Sequence, residues 1–150
     1  MPANRESLLA GRNTQPLSSD EVRRATNTFL GLDPSAPIRH EATSRTRFRV
    51  SNEESETVAE IVFGPDIYPG TSVIDPNSSL SMQAAAAHEL CHYYRWRDKT
   101  ELEDEQLMHV DEALTSLEAA LRFPKLGEHD IRQLVSDAIQ RLQLYVQNRR

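Results

Sequence analysis

The run His88-Glu89-Leu90-Cys91-His92 places two imidazoles four positions apart, with a carboxylate beside the first. On a helix that spacing stacks side chains one above the other, so His88 and His92 project from one face. Two imidazoles so arranged can hold a zinc ion, and Glu89 can take a proton from water activated there. The neighbouring residues supply the helix. Four alanines, Ala84 to Ala87, precede the motif, and neither Gly nor Pro occurs between Leu80 and Trp96.

A catalytic zinc ion takes three protein ligands and leaves a fourth position open. The third ligand is expected from a second helical stretch, Met108 to Leu121, where Leu114, Leu117 and Leu121 recur at helical spacing. Glu112 lies twenty positions after His92, enough chain to turn and lay a second helix beside the first. Its carboxylate is an oxygen ligand that zinc accepts alongside imidazole. Asp111, His109 and Glu105 are the alternatives to Glu112. His109, one turn before Glu112, is also the first candidate for stabilising a developing oxyanion, with Tyr68, Tyr93 and Tyr94 as others. Cys91 sits inside the motif but off the ligand face. A small buried thiol is the ordinary reading of such a residue, and redox control of the helix is the sharper one.

The combination of His88-Glu89-Leu90-Cys91-His92 with Glu112-Ala113 on a later helix resembles the zincin metallopeptidases whose third ligand is Glu. The run Glu112 to Leu121 is similar to the Glu-Ala-x-x-Phe-Ala-x-x-Leu-Leu helix of ImmA/IrrE-type peptidases, and Asp111-Glu112-Ala113 resembles the Asn-Glu-Ala segment of thermolysin-like gluzincins. The resemblance spans roughly residues 71 to 123. It departs from the ImmA pattern at Cys91, where Gly is usual, and at Arg122-Phe123-Pro124, which replaces Leu-Met-Pro. It implies a minimal zincin-like enzyme: His88, His92 and Glu112 on Zn²⁺, Glu89 as general base, and hydrolysis of a peptide bond. For the ImmA type it further implies a regulatory protease that cleaves a repressor in a stress or phage-defence response.

Composition is compatible with this. The chain of 150 residues suits one domain, with 38% apolar and 27% charged residues. A net charge of −6 disfavours direct contact with nucleic acid or an anionic membrane. No apolar run reaches the length of a membrane span, and a single cysteine leaves no internal disulfide framework, which points to the cytoplasm.

Several elements must position the motif. Residues 1 to 17 read as a mobile arm, and residues 18 to 150 as one domain. Ser18 and Glu21 have capping-box spacing and start a helix that carries Val22, Ala25, Phe29 and Leu30 and stops near Gly31. Residues 45 to 50 and 57 to 63 read as the two strands of a hairpin, joined by an acidic turn over Ser51 to Glu56. Thr71 to Asp75 is expected to be a third strand, either at the sheet edge and open to an extended peptide or buried in the middle of the sheet. Ser78 or Ser79 is expected to cap the metal helix. Residues 97 to 105 form a polar linker, and Glu128 to Gln147 an amphipathic helix. Its stripe of Ile131, Leu134, Val135, Ala138, Ile139, Leu142, Tyr145 and Val146 would pack on the core or meet a partner, including a second copy of the chain. The fold class is therefore α+β: a small antiparallel or mixed sheet of about three strands packed on the metal helix and two or three further helices.

Two rival functions remain open on these residues: a zinc-bearing interaction or regulatory subunit that does not cleave, and a zinc hydrolase acting on a small amide.

Overall fold

A computed structural model describes residues 12–70 and 80–149. It has a three-stranded mixed sheet and four α-helices: α1 (Ser19–Leu32), β1 (Ile38–His40), β2 (Arg47–Glu53), β3 (Glu56–Phe63), α2 (Met82–Arg97), α3 (Met108–Arg122) and α4 (Glu128–Asn148). This is the small α+β fold that the sequence implies.

Local chemistry sets most of the boundaries. Ser18 Oγ accepts from Glu21 N, and Glu21 Oε1 accepts from Ser18 N at 2.9 Å, so the capping box of α1 is formed. The β2–β3 ladder runs from Arg47↔Val62 to Glu53↔Glu56, leaving only Glu54 and Ser55 as the turn. Both have positive φ, the backbone a two-residue type I′ hairpin requires, so the turn is tighter than the expected stretch of Ser51 to Glu56.

The third described strand is one the sequence reading passed over. Ile38 to His40 pairs in parallel with Ile61 to Phe63, giving the order β1-β3-β2. Three residues behind a proline are too short for a periodic signal, and a parallel pairing has no hairpin turn to announce it. The strand expected over Thr71 to Asp75 lies outside the described residues. Because β3 is central, its end is buried: Ile61, Val62 and Phe63 all belong to the core.

Gly64, immediately after β3, is required by a close approach. A Cβ there would fall 1.7 Å from the Ser44 carbonyl oxygen. The loop over residues 41–46 crosses at that point and is tied down by Asp66, whose Oδ1 accepts from Thr46 N at 2.8 Å and Thr46 Oγ1 at 2.6 Å.

Helix α2 is the centre of the fold and packs on α1, α3, α4, β2 and β3. Ala84, Ala86 and Ala87 have no exposure, and their small side chains let the neighbouring elements approach closely. The N-cap of α2 is Ser81, whose Oγ accepts from Ala84 N at 3.0 Å. Ser78 and Ser79, the expected caps, lie outside the described residues. Ser81 N also donates to Gln133 Oε1 of α4 at 2.8 Å, so α4 helps fix where α2 begins. At the other end Lys99 takes positive φ and Thr100 N donates to Arg95 O at 2.8 Å, closing α2 with a Schellman-type bond.

Arg12 and Asn13 are hydrogen-bonded to backbone far along the chain. Arg12 is only 6% exposed and donates to Asp66 O at 2.9 Å, Ile67 O at 2.8 Å and Leu80 O at 2.6 Å. Asn13 Nδ2 donates to Pro65 O at 3.1 Å. The Arg12 guanidinium thus bridges backbone carbonyls of residues 66, 67 and 80.

The helix faces differ from a simple apolar reading in two places. On α3 the small residues Ala113, Ser116 and Ala119 are buried, while Leu114 and Leu121 are exposed. On α4 the inward face is Leu134, Asp137 and Ala138, all buried. Ile139 is 52% and Val146 63% exposed, and Val135 and Leu142 also reach solvent. The stripe is thus rotated partly off the core, because polar side chains of α4 are drawn inward by the site described next. Among the described residues, no helix is long and apolar enough to cross a membrane.

Candidate metal centre

The helix α2 carries His88 and His92 on one face, as the four-residue spacing requires. Their rings meet edge to face with centroids 4.6 Å apart. From α3, Glu112 Oε2 reaches both of them: it lies 2.9 Å from His88 Nε2 and 3.0 Å from His92 Nε2. These three residues offer one ligand atom each, all within 4.8 Å of one another, and form the one such metal-competent group found among the described residues. Two imidazole nitrogens and a carboxylate oxygen converging from two helices are donors that could hold a divalent metal ion, and zinc accepts all three.

The other candidates for third ligand are placed elsewhere. Asp111 is salt-bridged to Arg95 Nη2 of α2 and accepts from Leu102 N at 2.9 Å. One position separates it from Glu112, but about 100° of helix turn sends one carboxylate to a structural ion pair and the other to the histidines. Glu105 is exposed on a single 3₁₀ turn before α3. His109 has a buried Nδ1 with no hydrogen-bond partner, and no hydrogen bond links it to the three ligand residues.

Two of the tyrosines proposed as oxyanion donors have their hydroxyls occupied. Tyr68 donates to Glu21 O at 2.7 Å, and Tyr94 donates to Asp33 Oδ2 at 2.6 Å. Two cations also lie over the Tyr94 ring, Arg122 at 4.3 Å and Arg97 at 4.8 Å from its centroid. Tyr93 packs in an aromatic group with Phe48 and Trp96.

Charge is concentrated around the three residues. Burial raises the Glu89 carboxyl, His92 and His88 oppose this, and Glu112 adds to it; the balance leaves the group above the ordinary carboxylate range. A carboxylate so shifted is better matched to proton transfer near neutral pH. Burial pushes His92 down, but the charge and hydrogen bond of Glu112 more than reverse this and raise it to about 9. Glu112 is raised by burial, then pulled well below its usual range by His92 and by hydrogen bonds from both histidines. Cys91 has no exposure, and burial drives its thiol far up, followed by the nearby Glu118 charge. That is the environment of an inert packing thiol rather than a reactive one.

Sequence reasoning missed the residues behind His88 and Glu112. His88 Nδ1 lies 2.8 Å from Ser116 Oγ on α3, and Ser116 Oγ donates to Asp137 Oδ2 on α4 at 2.7 Å. Arg141, one turn further along α4, donates from Nε to the same Asp137 oxygen at 2.9 Å and brings Nη1 to 3.8 Å from Glu112 Oε2. The signal available in sequence was a pair of charges, Asp137 and Arg141, four apart beside the apolar stripe of α4. That pattern ordinarily marks a solvated helix face.

No family model, no curated protein and no solved structure matches this chain.

Proposed function

We propose that this chain is a zinc-dependent hydrolase of the zincin type, cleaving an amide bond in a protein or peptide. The observation that carries the reading is the convergence of His88, His92 and Glu112, with Glu89 one residue from the first ligand. When bound, zinc acidifies water to a pKa of about 7 and polarises a carbonyl. The chain's own residues do the rest. His88, His92 and Glu112 hold the ion. Glu89, raised by burial, accepts a proton from the attacking water and returns it to the leaving amine. Helix α2, buried along most of its length, excludes bulk water from one side of the site.

A peptide is favoured over a small amide by the sheet. Among the described strands β2 lies at an edge, and it packs on α2 through Phe48 against Tyr93 and Trp96. An extended substrate can add to such an edge by main-chain hydrogen bonds. The narrower role, cleavage of a repressor in a stress or phage-defence response, rests solely on the resemblance of residues 88–92 and 112–121 to ImmA/IrrE-type peptidases.

The test compares wild type with Glu89→Gln, both loaded with zinc, on an unfolded protein substrate and on a set of small amides. The expected result is one zinc per chain in both proteins and cleavage of the polypeptide by wild type alone. A wild type that takes up no zinc would remove the reading. A variant that cleaves as fast as wild type would remove Glu89. Zinc uptake without turnover on any substrate would favour a zinc-bearing interaction protein.

A further inference from the structure

Helix α4 contributes none of the three ligands, yet it places a buried carboxylate directly behind one of them. Asp137 is 4% exposed, and Ser116, which separates it from His88, is fully buried. The direction of each hydrogen bond from His88 through Ser116 to Asp137 is set by chemistry. The Asp137 carboxylate, paired with Arg141 at 2.9 Å, only accepts. The single proton of the Ser116 hydroxyl is therefore spent on Asp137 at 2.7 Å. What Ser116 offers to His88, 2.8 Å away, is a lone pair. The proton between them must sit on His88 Nδ1. That leaves Nε2, which donates to Glu112 Oε2 at 2.9 Å, as the ring nitrogen that can release its proton and offer a lone pair to a metal ion.

We propose that Asp137 is a positioning residue of the metal centre: acting through Ser116, it fixes the tautomer and ring orientation of His88, while Arg141 links the same carboxylate to Glu112. This rests on the metal reading above. In this arrangement one side chain of α4 aligns a ligand from α2, and its neighbour one turn on, Arg141, lies 3.8 Å from the ligand carboxylate of α3. The other histidine lacks the device: among the described residues no hydrogen bond engages His92 Nδ1. The relay should therefore act on His88 alone.

The experiment measures zinc affinity by competition with a chromogenic chelator, for wild type, Ser116→Ala, Asp137→Asn and Ser116→Thr. Partners that orient a metal-binding His typically contribute about 10–100-fold in affinity, and losses of that order are expected for Ser116→Ala and Asp137→Asn. Ser116→Thr keeps the hydroxyl and should retain most of the affinity. A second readout needs no activity. In zinc-loaded protein labelled with nitrogen-15, His88 should show a slowly exchanging Nδ1–H that is lost in Ser116→Ala, with the His92 signals unmoved. Affinities of both variants within roughly threefold of wild type would overturn the relay, as would a His88 bound to zinc through Nδ1. Asp137→Asn preserves side-chain volume and decides the matter if Ser116→Ala does not fold. Failure of wild type to bind zinc is a separate result, because it overturns the metal reading and the relay with it.

Discussion

The sharpest consequence of the Glu112 geometry is a pH dependence of the metal-free protein. One carboxylate oxygen holds two imidazoles at 2.9 and 3.0 Å, and raises His92 from 6.5 to about 9 against the opposing effect of burial. A histidine raised on folding stabilises fully below its unfolded value, and that stability is lost as pH climbs through the folded value. Glu112 is depressed, so its contribution is present above its unfolded value and lost as pH falls through the lower folded one. Both contributions coexist between about 4.5 and 6.5. At about 1.4 kcal/mol per pH unit, the His92 displacement corresponds to roughly 3 kcal/mol that should vanish between neutral pH and about 10. The perturbation is Glu112→Gln, which removes the charge and keeps the volume. The assay is urea unfolding of chelator-treated wild type and variant at pH near 6 and near 10. Taking the difference between the two proteins cancels groups that titrate equally in both. Wild type should exceed the variant by roughly 3 kcal/mol more at the lower pH than at the higher. A stability difference that is the same at both pH values would refute the charge pairing of Glu112 with His92. On the proposed zinc reading the ion would have to displace the same His92 proton, so its apparent affinity should rise with pH up to about 9.

Three further outcomes follow from the packing. Gly64→Ala should destabilise by at least about 3 kcal/mol in urea unfolding, because its Cβ would collide with backbone that cannot swing away. Arg12→Ala should cost about 3 kcal/mol, since three backbone carbonyls lose a charged donor, and a loss below about 1 kcal/mol would mean the clamp is dispensable. Native Cys91 should react with iodoacetamide at least about a hundredfold more slowly than the urea-unfolded chain. Comparable rates would reopen the redox reading of that thiol.

What the amino-acid order determined by itself is mostly local. Ser18 and Glu21 specify the start of α1 because a capping box involves only four consecutive residues. The relation of His88 to His92 needs nothing beyond one helical turn. The β2–β3 hairpin shows as alternation on either side of an acidic turn. Glu112 was legible because a helix two dozen residues downstream of His88 carries a carboxylate among small side chains. Its choice over Asp111 was not: the two differ by one helix position, and only the pairing of Asp111 with Arg95 assigns each its side. The tertiary structure alone decided the parallel pairing of Ile38 to His40, the grip of Arg12 on carbonyls more than fifty residues away, and the placement of Asp137 and Arg141 behind His88 and Glu112. In each of these the partners are far apart in the chain, and no periodic pattern records them. Hydrophobic periodicity says which side of a helix prefers to be dry. It does not say that a buried carboxylate, satisfied by an arginine and a serine, will claim part of that side.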